Sequence, residues 1–222
     1  MKTKEFTFKS ATGVCDIYGC RYTPDDDAVK AVIAINHGMA EHQARYRDFV
    51  SFLTSNGFAV YMHDMANHGK SNNDKNLTGY FGKKDGYKAL VKDFDSVVKI
   101  AKTDYPDKKL VIMGHSMGSF IVRCYTAWYP NAGFDGAIYM GTGGSNPIAG
   151  VGDFVSSLIA KVTGYKKKVA LLDKMTFGSY NNKFEKRTAF DWLTRDNSVV
   201  DKYINDEYCG FLFSAQGMND LV

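Results

Sequence analysis

Long apolar runs are missing from this 222-residue chain: no segment approaches the ~18 consecutive apolar residues that a membrane span requires. Charge of one sign is missing too. The 28 basic and 24 acidic residues leave a formal net charge of +4, and they are interspersed, so no nucleic-acid surface is expected. Lys166-Lys167-Lys168 is the one basic cluster and reads as a solvated patch. Cysteine is scarce. Cys15, Cys20, Cys124 and Cys209 lack the spacing of a metal site and read as reduced thiols, with no metal or cofactor expected. The N-terminal "MKTKEFTFKSATG" has no apolar stretch of the signal-peptide kind, so a cytoplasmic location is the default. Histidine is absent beyond position 115; His37, His42, His63, His68 and His115 are the five. Any imidazole chemistry within these residues would have to draw on positions 37–115.

What is present is an ordinary globular composition, 45% hydrophobic and 23% charged, over a length that suits one α/β domain. Residues 4–9 and 14–22 are strand-like about Ala11-Thr12-Gly13, which predicts an antiparallel hairpin. Strands and helices then alternate. "AVIAIN" (31–36) precedes a helix through Tyr46, Phe49, Val50 and Leu53 that ends at Asn56-Gly57. "FAVYMH" (58–63) precedes a helix carrying Tyr87, Leu90, Val91, Phe94, Val97, Val98 and Ala101 on one face. The strand 110–113, a helix over 117–129 stopped by Pro130, and the strand "GAIYMG" (136–141) follow. This alternation predicts a doubly wound, mostly parallel α/β sheet, with the ligand at the carboxyl ends of its strands. His37, Asp64 and Ser116 all fall just past such ends.

The sharpest motif is Gly114-His115-Ser116-Met117-Gly118, a G-x-S-x-G between a buried strand and a helix. A turn that tight forces the serine into a strained conformation and needs glycine on both sides, at Gly114 and Gly118. It puts the Ser116 hydroxyl at a helix N-terminus, where developing negative charge is favoured. The predicted helix face is Met117, Phe120, Ile121, Cys124, Tyr125 and Trp128. A second piece, His37-Gly38-Met39, follows the first parallel strand. The N–H groups of Met39 and Met117 are the candidate oxyanion donors, with the His37 side chain bracing the loop. Other motifs fail. Gly69-Lys70-Ser71 would need glycine at position 64 to be a phosphate loop, and Asp64 stands there. "GTGGSN" (141–146) ends in Asn146 where a dinucleotide fingerprint has glycine. His63, Asp64 and His68 lack a metal-ligand spacing.

Together, "HGMAEHQARY", "DMANHGKS" and "GHSMG", in this order and spacing, resemble the α/β-hydrolase fold and its monoacylglycerol lipase, lysophospholipase and serine aminopeptidase-like group. "FDWLTRDNSVVDKYINDEYCGFLF" (190–213) is similar to the segment that leads out of the cap in bacterial members. Ala66-Asn67 stand where the group usually has Arg-Gly, a departure that points to loop packing. After Gly141 the sequence shifts to Gly-, Ser- and Asn-rich turns, many aromatics and no evident strand. A core over 1–142 is therefore expected to be followed by a helical cap, or else an ordinary surface excursion, over 143–205 and a return to the core over 206–222. The resemblance implies Ser116 as nucleophile, Met39 and Met117 as oxyanion donors, and fatty acyl esters such as monoacylglycerols or lysophospholipids as substrates, with at most transient contact with a lipid surface. In that fold an Asp or Glu and then a His follow the serine. Neither expected element follows Ser116 here, so the chain is expected to be the front part of a hydrolase, with "AIYM" left as an exposed, aggregation-prone edge. Three functions remain: an esterase or lipase, an inactive binding protein of the same fold, and an acyltransferase.

Overall fold

A computed structural model describes residues 1–144 and 149–221; residues 145–148, including the Asn146 that breaks the glycine pattern, and Val222 lie outside the described residues. Six strands form one sheet: β1 (Lys2–Lys9), β2 (Asp16–Thr23), β3 (Ala31–Asn36), β4 (Phe58–His63), β5 (Leu110–His115) and β6 (Gly136–Met140). Their order is β1-β2-β4-β3-β5-β6. The expected hairpin is there, β1 pairing antiparallel with β2 and β2 with β4. From β4 to β6 every pairing is parallel.

The central strands read as continuous apolar runs because both faces are covered. On one face Ile33, Ile35, Val60, Met62 and Met113 pack against Val50 and Leu53 of α1 (Arg47–Ser55). On the other, Ala34, Tyr61 and Ile112 meet the buried stripes of α2 (Gly86–Asp104) and α3 (Met117–Trp128). Phe94 of α2 is fully buried edge-on to Tyr125 of α3, the type of contact whose truncation costs about 3–5 kcal/mol. Helices on both faces make the sheet doubly wound.

The buried face of α3 is rotated from the predicted one. Ser119 and Val122 are buried, whereas Phe120 and Cys124 are half-buried and Trp128 is exposed. The helix serves two neighbours, the sheet beneath it and a cavity beside it, and a simple amphipathic stripe describes only one. β6 is the outermost strand of the described sheet on its side, and Ile138, Tyr139 and Met140 are exposed there.

Among the described residues of 143–205 no strand forms. The segment contains α4 (Ala149–Thr163), α5 (Ala170–Phe177) and α6 (Asn197–Asn205), and α7 (Ala215–Leu221) follows. Asp196 caps α6 by accepting the Ser198 N–H at 2.9 Å, relieving one of the free donors of the first turn. An isolated bridge between Lys168 and Ser214 ties the segment to the chain before α7. In the Lys166–Lys168 cluster, Lys166 and Lys167 are exposed, as a solvated patch requires, and Lys168 is half-buried: Lys166 lies over the Tyr80 ring, and the Lys168 ammonium bonds the Thr78 hydroxyl.

Candidate active site

Ser116 sits between β5 and α3 with φ 52° and ψ −121°, a region L-residues avoid. The turn is held at both ends. The Ser116 N–H donates to Met140 O of β6 at 2.9 Å, and the Ser119 N–H donates to Ser116 O at 2.8 Å. Its glycines are required by contact. A Cβ on Gly114 would lie 2.2 Å from Gly118 O, and one on Gly118 would lie 2.3 Å from Asn36 O. No side chain fits in either place, so β3, β5 and α3 approach at backbone distance only with glycine there.

The loop after β3 arches over this turn. A Cβ on Gly38 would be 3.3 Å from the Ser116 Cβ. His37, fully buried, accepts the Met65 N–H at Nε2 (2.9 Å), so Nδ1 carries the proton and donates to Gly38 O (2.8 Å). Burial drives its pKa down to about 4, against the upward pull of Glu41. The ring is therefore a neutral brace between two loops. Among the described residues neither the Met39 nor the Met117 N–H meets a protein acceptor. Both residues, with Ser116, line a cavity of about 1890 Å³. Phe177 and Trp192 also line it, their rings stacked at 6.2 Å.

Glu41 is the residue that sequence reasoning passed over. It is buried, yet it is held well into the ionised range, at about 2. Burial opposes the charge, but the His115 and Tyr46 contacts and the Arg45 charge outweigh it. Its Oε1 accepts the Gly38 N–H (2.6 Å) and the Tyr46 hydroxyl (2.8 Å), and Oε2 pairs with Arg45. The signal was in the quoted "HGMAEHQARY": Glu41, Arg45 and Tyr46 stand four and five residues apart, spacing that brings them to one side of the turn entering α1.

His115 turns toward this network. Its Nδ1 lies 3.1 Å from the Tyr46 hydroxyl and 3.4 Å from Glu41 Oε1. Among the described residues no side chain hydrogen-bonds the Ser116 hydroxyl.

The residues past β4 hold the floor. Asp64 accepts the Gln43 and Lys70 N–H groups, each at 2.8 Å, and Ser71 donates its hydroxyl to Asp64 O at 2.6 Å. Gly69-Lys70-Ser71 is thus a short 3-10 turn packed onto Asp64. Asn67 has φ 55° and donates from Nδ2 to Tyr80 O at 2.5 Å. Asparagine tolerates the left-handed region better than most residues, which explains how it stands where glycine is usual. His68 is fully buried among Phe81, Phe211 and Phe213, its ring stacked on Phe81 at 5.8 Å. Burial takes both His63 and His68 down to about 3. One group of described residues could hold a metal: His42, Asp206 and Cys209.

The profile of the family described as serine aminopeptidase, S33, matches residues 27–222. The chain belongs to this family. It is 32% identical over 169 residues to a monoacylglycerol lipase of Mycolicibacterium smegmatis, an alignment covering 75% of this chain and 54% of the relative. It is 28% identical over 187 residues to the mouse monoglyceride lipase, covering 84% and 55%. The chain thus spans about half the length of these relatives. Among solved structures, a thermostable carboxyl esterase from Bacillus coagulans superposes with a TM-score of 0.89 at 28% identity, over 100% of this chain and 71% of that one. A lipase in its open form superposes at 0.87 and 24% identity, over 99% and 72%, a likeness of fold. The architecture of this S33 family member is therefore the α/β-hydrolase fold. No helix among its described residues is long and apolar enough to cross a membrane.

Proposed function

We propose that the chain carries the nucleophile and oxyanion part of a serine hydrolase that cleaves carboxylic esters of fatty acyl lipids, monoacylglycerols or lysophospholipids. The observation that carries this reading is Ser116 at φ 52° beside a large cavity, with two unmet backbone donors, Met39 and Met117, on the same cavity. Membership of the S33 family and similarity to two proteins named monoacylglycerol and monoglyceride lipases support the reaction class.

In this reading the Ser116 oxygen attacks the ester carbonyl carbon. The carbonyl oxygen gains the negative charge, and the Met39 and Met117 N–H groups stabilise it; removing one such donor typically costs about 3–4 kcal/mol. The intermediate collapses to an acyl-enzyme, the alcohol leaves with a proton, and water releases the fatty acid. Residues 143–205 act as the cap, with Phe177 and Trp192 as apolar wall for the acyl chain. A base must take the Ser116 proton, since a serine hydroxyl is a weak nucleophile at neutral pH. His115 faces Glu41 and Tyr46, and among the described residues it does not hydrogen-bond the Ser116 hydroxyl.

The test is hydrolysis of a p-nitrophenyl ester and of monoacylglycerol by the full-length protein, with fluorophosphonate labelling read at Ser116. Ser116→Ala is expected to lower the rate about 10³-fold or more and to abolish labelling. Hydrolysis unchanged in Ser116→Ala would overturn the proposal. A second reading, a lipid-binding protein of the same fold without turnover, is favoured by the lack of a side-chain partner for the Ser116 hydroxyl among the described residues. Saturable monoacylglycerol binding with no Ser116-dependent turnover would establish it.

A further inference from the structure

We propose that His42, Asp206 and Cys209 form a binding site for Zn²⁺ that fastens the loop over Ser116 to the segment following α6. This site is independent of ester cleavage and stands or falls without it.

His42 lies one residue beyond Glu41, and its Nε2 is 2.8 Å from Asp206 Oδ2. Asp206 and Cys209 are brought to one side of a turn closed by the Cys209 N–H donating to Asp206 O at 3.0 Å. The carboxylate is already oriented, because its other oxygen, Oδ1, accepts the Tyr208 N–H at 2.9 Å and leaves Oδ2 for His42. The Tyr208 ring lies edge-on to His42 at 5.6 Å and limits the imidazole's rotation. One ligand atom from each of the three residues lies within 4.8 Å of the others.

A His–Asp pair alone is a common structural contact. The thiol three residues past the aspartate changes the chemistry, because imidazole, carboxylate and thiolate together suit Zn²⁺ rather than Mg²⁺ or Ca²⁺. Zinc bonds of about 2.0–2.3 Å in a tetrahedron bring ligand atoms to about 3.3–3.8 Å from one another. Side-chain rotations that widen the 2.8 Å His42–Asp206 contact and shorten the remaining separations by up to about an ångström reach that spacing, and water takes the fourth position. The site is reachable: the His42 and Asp206 side chains are 13% and 29% exposed.

Proton accounting follows from the ligands. Cys209 gives its thiol proton to solvent, Asp206 enters as the carboxylate, and a neutral His42 moves its ring proton from Nε2 to Nδ1. One proton is released per ion bound. The ion joins two segments already in contact elsewhere, since the Tyr203 hydroxyl and the Gly210 N–H both donate to Ala40 O. No spacing in the sequence exposes this site, because His42 and Asp206 are 164 positions apart.

The experiment is a Co²⁺ titration of metal-stripped protein, followed by displacement with Zn²⁺. The expected result is one equivalent bound with a thiolate-to-cobalt charge-transfer band. Cys209→Ser should abolish the band and weaken Zn²⁺ binding at least tenfold, and Cys124→Ser should change neither. No band in the wild-type protein, or a band that survives Cys209→Ser, overturns the site. A second measurement needs no variant: Zn²⁺ should slow alkylation of Cys209 by iodoacetamide about tenfold and leave Cys124 unaffected. Equal rates with and without Zn²⁺ overturn the proposal whatever the variants do.

Discussion

The hydroxyl of Tyr203, in α6, donates to the carbonyl of Ala40 at 2.9 Å across 163 positions of chain, and Ala40 itself has φ 50°. The strained residue of the loop over Ser116 is therefore held from outside that loop. Tyr203→Phe should cost about 1 kcal/mol, the usual net worth of one hydrogen bond. It should also raise amide exchange at residues 38–42 more than in the central strands. Exchange that rises uniformly would show that the bond contributes only global stability.

Backbone strain at Ser116 has a measurable counterpart. Glycine adopts φ 52° and ψ −121° without the Cβ clash, so Ser116→Gly should stabilise the fold by about 1 kcal/mol. Urea denaturation compares it with Ser116→Ala, which keeps the Cβ and should gain little. Equal midpoints for the two would mean that the turn carries no strain.

Glu41→Ala should cost about 2–3 kcal/mol, because it leaves the Gly38 N–H and the Tyr46 hydroxyl without their acceptor and Arg45 without its partner. Glu41→Gln, which keeps an oxygen at the site, should cost clearly less. Chemical denaturation of the three proteins at pH 7 checks the order.

Acid should destabilise this protein through its buried histidines. His37 is lowered to about 4, and His63 and His68 to about 3, each mainly by burial. A depressed folded-state value means that the unfolded chain binds the proton first. The stability these residues contribute is full above about 6.5 and is lost as pH falls toward 3–4. Asp93 opposes this: burial raises it to about 6, so its own contribution improves as pH falls from 6 toward 4. Neither ring nitrogen of His63 has a hydrogen-bond partner among the described residues. His63→Leu should therefore leave stability at pH 7 within about 1 kcal/mol and flatten the decline between pH 6.5 and 4, as read from urea midpoints.

The sheet and the turn at Ser116 were legible in the sequence because their signals are local. "AVIAIN", "FAVYMH" and "LVIM" are apolar runs of the kind a strand covered on both faces presents. Gly114 and Gly118 mark a close approach that tolerates no side chain. The rotated face of α3 was not legible, since Phe120 and Cys124 border a cavity whose other wall comes from 143–205. Glu41 was missed because its role depends on His115, 74 positions away, and on a backbone N–H that no residue-type pattern records. The metal-ligand group was missed for the same physical reason: turn 206–209 and the loop at His42 meet only in three dimensions.

His68 lies in an aromatic enclosure drawn from two distant stretches of the chain, with Phe81 on one side and Phe211 and Phe213 on the others. During synthesis the first of these rings leaves the ribosome well over a hundred residues before the last two. Until then the imidazole meets water on the open sides, where it can take up a proton that the finished enclosure rejects. Closing the enclosure is thus a late step of folding that selects the neutral ring, and it completes the floor beneath His37 only when the segment after α6 has been made.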